Sequence, residues 1–191
     1  MGVRARGIGI KAALSGWNLS WAGLWRNQQG EWWLLGQGIL ILAVIILPGW
    51  PQSALADLNL TWRNCLMISG GSLLTGGVVL AVASFLALGD NLSPLPEPKP
   101  GIQLVQSGPY RLCRHPLYLA VLICAAGVML MRQSPLHLAL LIALAMTLRG
   151  KAKREEQGLV RRHPDYRTLF SGKPAILAWI PGLNWSIEDA S

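Results

Sequence analysis

The 191-residue sequence predicts an all-α integral membrane protein with about four transmembrane helices, the last two forming a short helical hairpin, preceded by an interfacial helix. Three observations carry that expectation. Apolar residues make up 52% of the chain and charged residues only 14%, well under the roughly 25% charged share of an average soluble domain. Residues 32–56 and 64–89 carry no charge at all. The 17 Lys and Arg residues, which give a formal charge of +8, sort by side: only Arg63 and Arg132 fall on the face opposite the other fifteen. That distribution excludes a disordered chain. It also argues against a nucleic-acid-binding domain, whose cations would form one basic patch.

Each element follows from local pattern. Leu14, Trp17, Trp21, Leu24 and Trp25 recur at helical spacing, with Lys11, Asn18 and Arg26 elsewhere on the wheel, as in a helix lying on a bilayer surface. No small-residue cleavage site closely follows the first long apolar run, so no secretory signal is expected. That run, Trp33 to Leu47, ends at Pro48-Gly49, and a second extends from about Asn64 to Leu88. The charge-free stretches that hold them, 32–56 and 64–89, are long enough for the ~20 residues a bilayer core requires of a helix. Leu117–Met131 and Pro135–Leu148 are apolar runs too short to span comfortably alone, and they meet at Arg132-Gln133-Ser134-Pro135, which predicts a tight hairpin. Good helix formers and no Pro follow Leu148 until Pro164, so the last helix should project from the membrane as far as Arg162. Small residues from Gly70 to Gly77 should let helices approach closely. His137 is expected at the non-cytoplasmic interface. The organisation is thus a basic interfacial segment over 1–31, two spans over 32–89, and a candidate catalytic region over 90–191. The positive-inside rule places both termini and the 90–116 loop in the cytoplasm.

That topology brings two polar segments to one membrane face. In the first, the proline-alternating stretch 93–101 forms a stiff connector, and Val105, Gly108, Pro109 and Tyr110 lead through Arg114 to His115, Pro116 and Tyr118. Pro116 suits a first helical turn and pushes its predecessor out of helical geometry, so His115 should stand at the helix entrance. In the second, Glu155 and Glu156 lie one to two turns beyond the membrane edge, with Lys151 four residues earlier. Alone, this second segment reads as a solvated helix of mixed charge. Brought together by the hairpin, a carboxylate pair, an imidazole, a phenol and nearby arginines suit a small polar cofactor bearing both charge signs. Cys113, beside Arg114, has the setting for a lowered thiol pKa, but it is read as a filler. The three Cys have no metal-ligand spacing, and no metal site is expected.

The ordered set Leu-Val-x-x-Gly-Pro-Tyr-Arg (104–111), Arg-His-Pro-x-Tyr (114–118), an apolar hairpin, then Glu-Glu-x-x-Leu (155–159) resembles the isoprenylcysteine carboxyl methyltransferase and phospholipid methyltransferase group, over roughly residues 89–183. The resemblance implies a membrane enzyme that uses S-adenosylmethionine to methylate a lipophilic acceptor drawn from the bilayer. It implies that His115, Tyr118, Glu155 or Glu156, Leu159 and the Val105–Tyr110 stretch hold the cofactor, and that Arg114 and the Glu pair serve the chemistry. Arg111, Arg114 or Arg154 would neutralise a carboxylate. The apolar Ala175–Trp185 run should fold back as a lid. The sequence departs from the group at Ala120, where Gly is frequent, and at the C terminus, where an Arg pair is missing. Arg162-His163-Pro164-Asp165-Tyr166 mimics the central motif without its flanks and is read as coincidence. A nicotinamide-dependent membrane reductase and a non-catalytic membrane scaffold are the alternative classes.

Overall fold

A computed structural model describes residues 30–51, 59–91 and 104–190. The interfacial helix and the proline-rich connector lie outside the described residues. Within them the chain forms five α-helices and no strand: α1 (Glu31–Ile46), α2 (Leu60–Leu88), α3 (Pro116–Arg132), α4 (Pro135–Arg162) and the short α5 (Tyr166–Phe170). Two of these, α2 and α4, are long and apolar enough to cross a membrane, while α1 and α3 are shorter apolar helices. Much of the outer apolar surface is uncovered: Ile68, Val79 and Leu86 on α2 and Ile39 and Ile46 on α1 are each more than 60% exposed. Such a surface suits lipid, not water.

The boundaries follow the local chemistry. α2 begins one turn before the sequence suggested, because the Asn59 side chain accepts a hydrogen bond from the Thr61 N–H at 3.0 Å and caps the helix. Pro116 and Pro135 each open a helix at its first position, where the missing N–H costs nothing. Gln133 closes α3 in the left-handed region at φ 49°, which turns the chain sharply into α4. At this turn Ser134 Oγ donates to Trp50 O and accepts from Trp50 N–H, both at 2.8 Å, so the segment after α1 is tied to the hairpin tip.

α2 packs on α3, and α1 packs on α4. The α2–α3 seam depends on missing side chains. A Cβ on Gly70 would meet Gly127 O at 2.6 Å, one on Gly127 would meet Gly70 O at 2.6 Å, and one on Gly77 would meet Cys124 Sγ at 2.6 Å. Gly127→Val is therefore expected to force the two backbones apart. Thermal unfolding of the purified variant should show a loss of about 1–3 kcal/mol; an unchanged midpoint would mean that the seam tolerates separation.

The main core joins Val44, Leu122, Leu144 and Leu148 to Ala175, Ile176 and Trp185 from the C-terminal segment. A second cluster comprises Tyr166, Phe170 and Ile187. His137, in the first turn of α4, is covered by protein. It is 1% exposed, because α1 runs antiparallel to α4 and its last turns near Val44 cover this position.

Candidate functional site

The hairpin places the start of α3 beside the projecting half of α4. Glu156 is fully buried and sits at the centre of the resulting cluster. Its Oε1 accepts from Arg114 Nε at 2.7 Å and lies 2.8 Å from His115 Nε2. Its Oε2 accepts from Trp185 Nε1 at 2.8 Å, with Arg114 Nη2 at 3.4 Å. An ionised carboxylate only accepts, so His115 Nε2 carries a proton. Such a buried, charge-assisted network is stable only while every member is matched.

Arg114 has further duties. Its Nη1 donates to Lys173 O and its Nη2 to Trp185 O, each at 2.7 Å. The backbone N–H groups of Arg114 and His115 donate to Pro174 O at 2.9 Å and Ala175 O at 3.0 Å. The C-terminal segment therefore does fold back, and it binds the motif through main chain, guanidinium and indole.

Glu155 faces a different way. It is half-buried, and its Oε2 accepts from Tyr118 Oη at 2.8 Å. The Tyr118 ring stacks on the His115 ring, with centroids 5.3 Å apart and planes 3° from parallel. One residue of the Glu pair is thus locked inside, and its neighbour stands beside the aromatic stack. Adjacent helical positions differ by about 100° in direction, which is why the pair divides.

The other residues singled out in the sequence fall around this cluster. Gly108, Pro109 and Tyr110 form a 3₁₀ turn against α2, with Gly108 at φ 58° and Tyr110 buried. Tyr110 O accepts from Lys173 Nζ at 3.1 Å. Burial pushes the Tyr110 phenol well above its usual range, with the Glu155 charge adding to the effect. Val105 is half-buried before this turn. Leu159 packs against the Tyr166, Phe170 and Ile187 cluster. Arg111 is exposed. Cys113 behaves as the filler expected: burial pushes its thiol up to about 11, outweighing the lowering by the His115 N–H and by Arg114, so it stays protonated at neutral pH. His163 ends α4, with its N–H on Leu159 O at 2.8 Å. It plays a capping part unlike that of His115.

Three participants were not visible in the sequence. Trp185 closes the Glu156 network. Lys151, which the sequence alone presents as part of a solvated helix, is 3% exposed and donates to Gln37 Oε1 of α1 at 2.8 Å. Pairings across 29 and 114 residues leave no local signal. A cavity of about 660 Å³ abuts the cluster, bounded by Arg114, Trp185, Phe170 and Asn184, with Arg167 and Lys173 among its cations.

Residues 65–165 match the phospholipid methyltransferase family. The chain belongs to that family. The match spans Arg114, His115, Tyr118 and both Glu residues, so the cluster is built from family positions, while α1 and the C-terminal segment lie outside it. Two curated relatives are similar over longer stretches. A nickel-cobalt-cadmium resistance protein, NccN, of Alcaligenes xylosoxydans xylosoxydans is 28% identical over 154 residues, covering 80% of this chain and 65% of the relative. A cobalt-zinc-cadmium resistance protein, CzcN, of Cupriavidus metallidurans is 33% identical over 117 residues, covering 60% of this chain and 50% of the relative. The chain thus spans between half and two thirds of the length of these relatives. No solved structure matches it significantly.

Proposed function

We propose that this family member is a membrane methyltransferase that moves a methyl group from S-adenosylmethionine to a lipophilic acceptor reached from the bilayer. The observation that carries the reading is the meeting, at the open end of the α3–α4 hairpin, of the Tyr118–Glu155 pair with the Arg114–His115–Glu156–Trp185 network, beside a cavity of about 660 Å³. The residues fit such a cofactor. Glu155 offers a carboxylate to amino or hydroxyl groups, and Arg167 and Lys173, which line the cavity, offer charge to a carboxylate. Glu156, with both oxygens already engaged, organises the site and leaves direct contact to Glu155.

S-adenosylmethionine, when bound, supplies a methyl group already activated on a sulfonium. The chain's task is then alignment and exclusion of water, and alignment alone lowers a barrier by up to roughly 7–11 kcal/mol in the best intramolecular cases. Trp185 and the segment from Pro174 to Ile176 shield the site from water. A carboxylate acceptor needs no base. An amine acceptor must lose a proton, and half-buried Glu155 is placed to take it. The site would face the cytoplasm, with four membrane passes and the acceptor entering between helices. The relatives' names concern metal resistance. In that setting the acceptor would be a membrane component whose methylation accompanies resistance.

Calorimetric titration of detergent-purified protein with S-adenosylmethionine and S-adenosylhomocysteine tests the reading. Saturable binding is expected, weakened about 10- to 100-fold in Glu155→Gln, as removal of one hydrogen bond to a charged group predicts. Well-folded protein that binds neither compound would overturn it. A nicotinamide cofactor would then be titrated, for the reductase alternative.

A further inference from the structure

The first helix reaches the site through one buried cation. Lys151 lies on α4 one turn before Glu155, and a lysine on a helix leans toward the helix N-terminus, here toward the apolar half of α4. Its Nζ donates to Gln37 Oε1 at 2.8 Å and stands 5.3 Å from the centre of the Tyr118 ring. Tyr118 in turn donates to Glu155 and stacks on His115. No carboxylate among the described residues lies within 4 Å of Lys151. The local fit is specific. A Cβ on Gly150 would collide with the Trp33 ring, so α1 seats its indole on the step beside Lys151. Trp33 and Gln37, four residues apart, occupy one face of α1, and that face docks on the Gly150–Lys151 step.

A buried ammonium is costly unless its surroundings compensate. Gln37 is a polar residue in an otherwise apolar stretch of α1 running from Trp32 to Leu47. These two polar groups meet each other and the face of a site tyrosine, and the Glu155 charge one turn on also acts on the ammonium. Packing alone would be served more cheaply by a Leu–Met pair.

We propose that Lys151 is a positioning residue of the methyl-transfer site, held by Gln37, so that α1 forms part of the catalytic unit although the family match begins only at residue 65. Lys151 fixes the Tyr118 ring, and through it the Glu155 carboxylate and the His115 stack. Its positive charge also opposes a sulfonium more than a neutral thioether. The inference rests on the function proposed above.

The experiment compares full-length wild type, Lys151→Met, Lys151→Arg and Gln37→Leu in detergent, by calorimetric titration with both S-adenosylmethionine and S-adenosylhomocysteine and by thermal unfolding. Lys151→Met should bind S-adenosylhomocysteine about tenfold more weakly, on the scale of a desolvated cation–π contact plus its hydrogen bond. It should lose less affinity for S-adenosylmethionine, because removing a cation relieves repulsion of the sulfonium. Lys151→Arg should retain most of the binding, and Gln37→Leu should fall between. Equal affinities in wild type and a folded Lys151→Met would overturn the inference while leaving the methyltransferase reading intact. Equal loss for both ligands, not rescued by Lys151→Arg, would overturn it too, as the mark of a packing role. Wild type that binds neither ligand would overturn both.

Discussion

Glu156→Gln is expected to destabilise the protein by about 3–5 kcal/mol, the cost of breaking a buried ion pair from one side. Glutamine keeps the shape but brings an NH₂ where only acceptors fit. Arg114 Nε, His115 Nε2 and Trp185 Nε1 all direct donors at this carboxylate, so one of them must face another donor. The Arg114 guanidinium would stay buried, supported by carbonyls alone. The midpoint of thermal unfolding should drop by about 10 °C for a chain of this size, and cofactor binding should be lost with it. Glu155→Gln separates the two effects. It removes the acceptor of a single Tyr118 hydrogen bond at a half-buried position, so stability should fall by only about 1 kcal/mol while binding suffers. A Glu156→Gln protein that melts with wild type would show that the network does not hold the fold together.

Deleting residues 174–191 is expected to abolish methyl transfer while leaving α1 to α4 helical. The deletion removes the carbonyls of Pro174 and Ala175 from the Arg114 and His115 N–H groups, and the Trp185 indole from Glu156. Each donor left buried without a partner costs about 1–3 kcal/mol. Ala175, Ile176 and Trp185 are also core residues, so the site would be opened to water as well as loosened. Circular dichroism should report helicity close to wild type, and a methyl-transfer assay on lipid extract should report none. Full activity in the truncated chain would remove the lid.

The hairpin was the most legible part of the fold. Proline at the first position of α3 and α4, together with apolar runs of fixed length, determines both helices, and the last helix ends at Arg162 as the sequence implied. The residues of the site were legible as a set because the topology brings two polar segments to one face. Their division of labour was not. Glu155 and Glu156 sit among Lys153, Arg154 and Gln157, and this wholly polar stretch gives no hydrophobic phase to say which carboxylate turns inward. Lys151 and Gln37 were hidden for another reason. Each looks polar and ordinary in its own segment, and only the antiparallel docking of α1 on α4 makes them partners. Trp185 read as part of an apolar tail because its N–H, not its ring, closes the network. The burial of His137 was hidden for want of the partner helix that covers it.

The α3–α4 hairpin is also a pair of jaws on a long lever. The grip is at the open end, with His115 and Tyr118 on one arm and Glu155 and Glu156 on the other. The fulcrum is the turn at Gln133–Pro135, where Ser134 binds both the N–H and the carbonyl of Trp50. Glu156 lies 21 residues from Pro135, a lever arm of about 30 Å at 1.5 Å per residue. Over that length a rotation of roughly 2° at the turn opens the jaws by about 1 Å, a displacement that alone can cost a catalyst about a hundredfold. The exactness of the grip is therefore set partly at the far end of the molecule, by a serine that never approaches the chemistry.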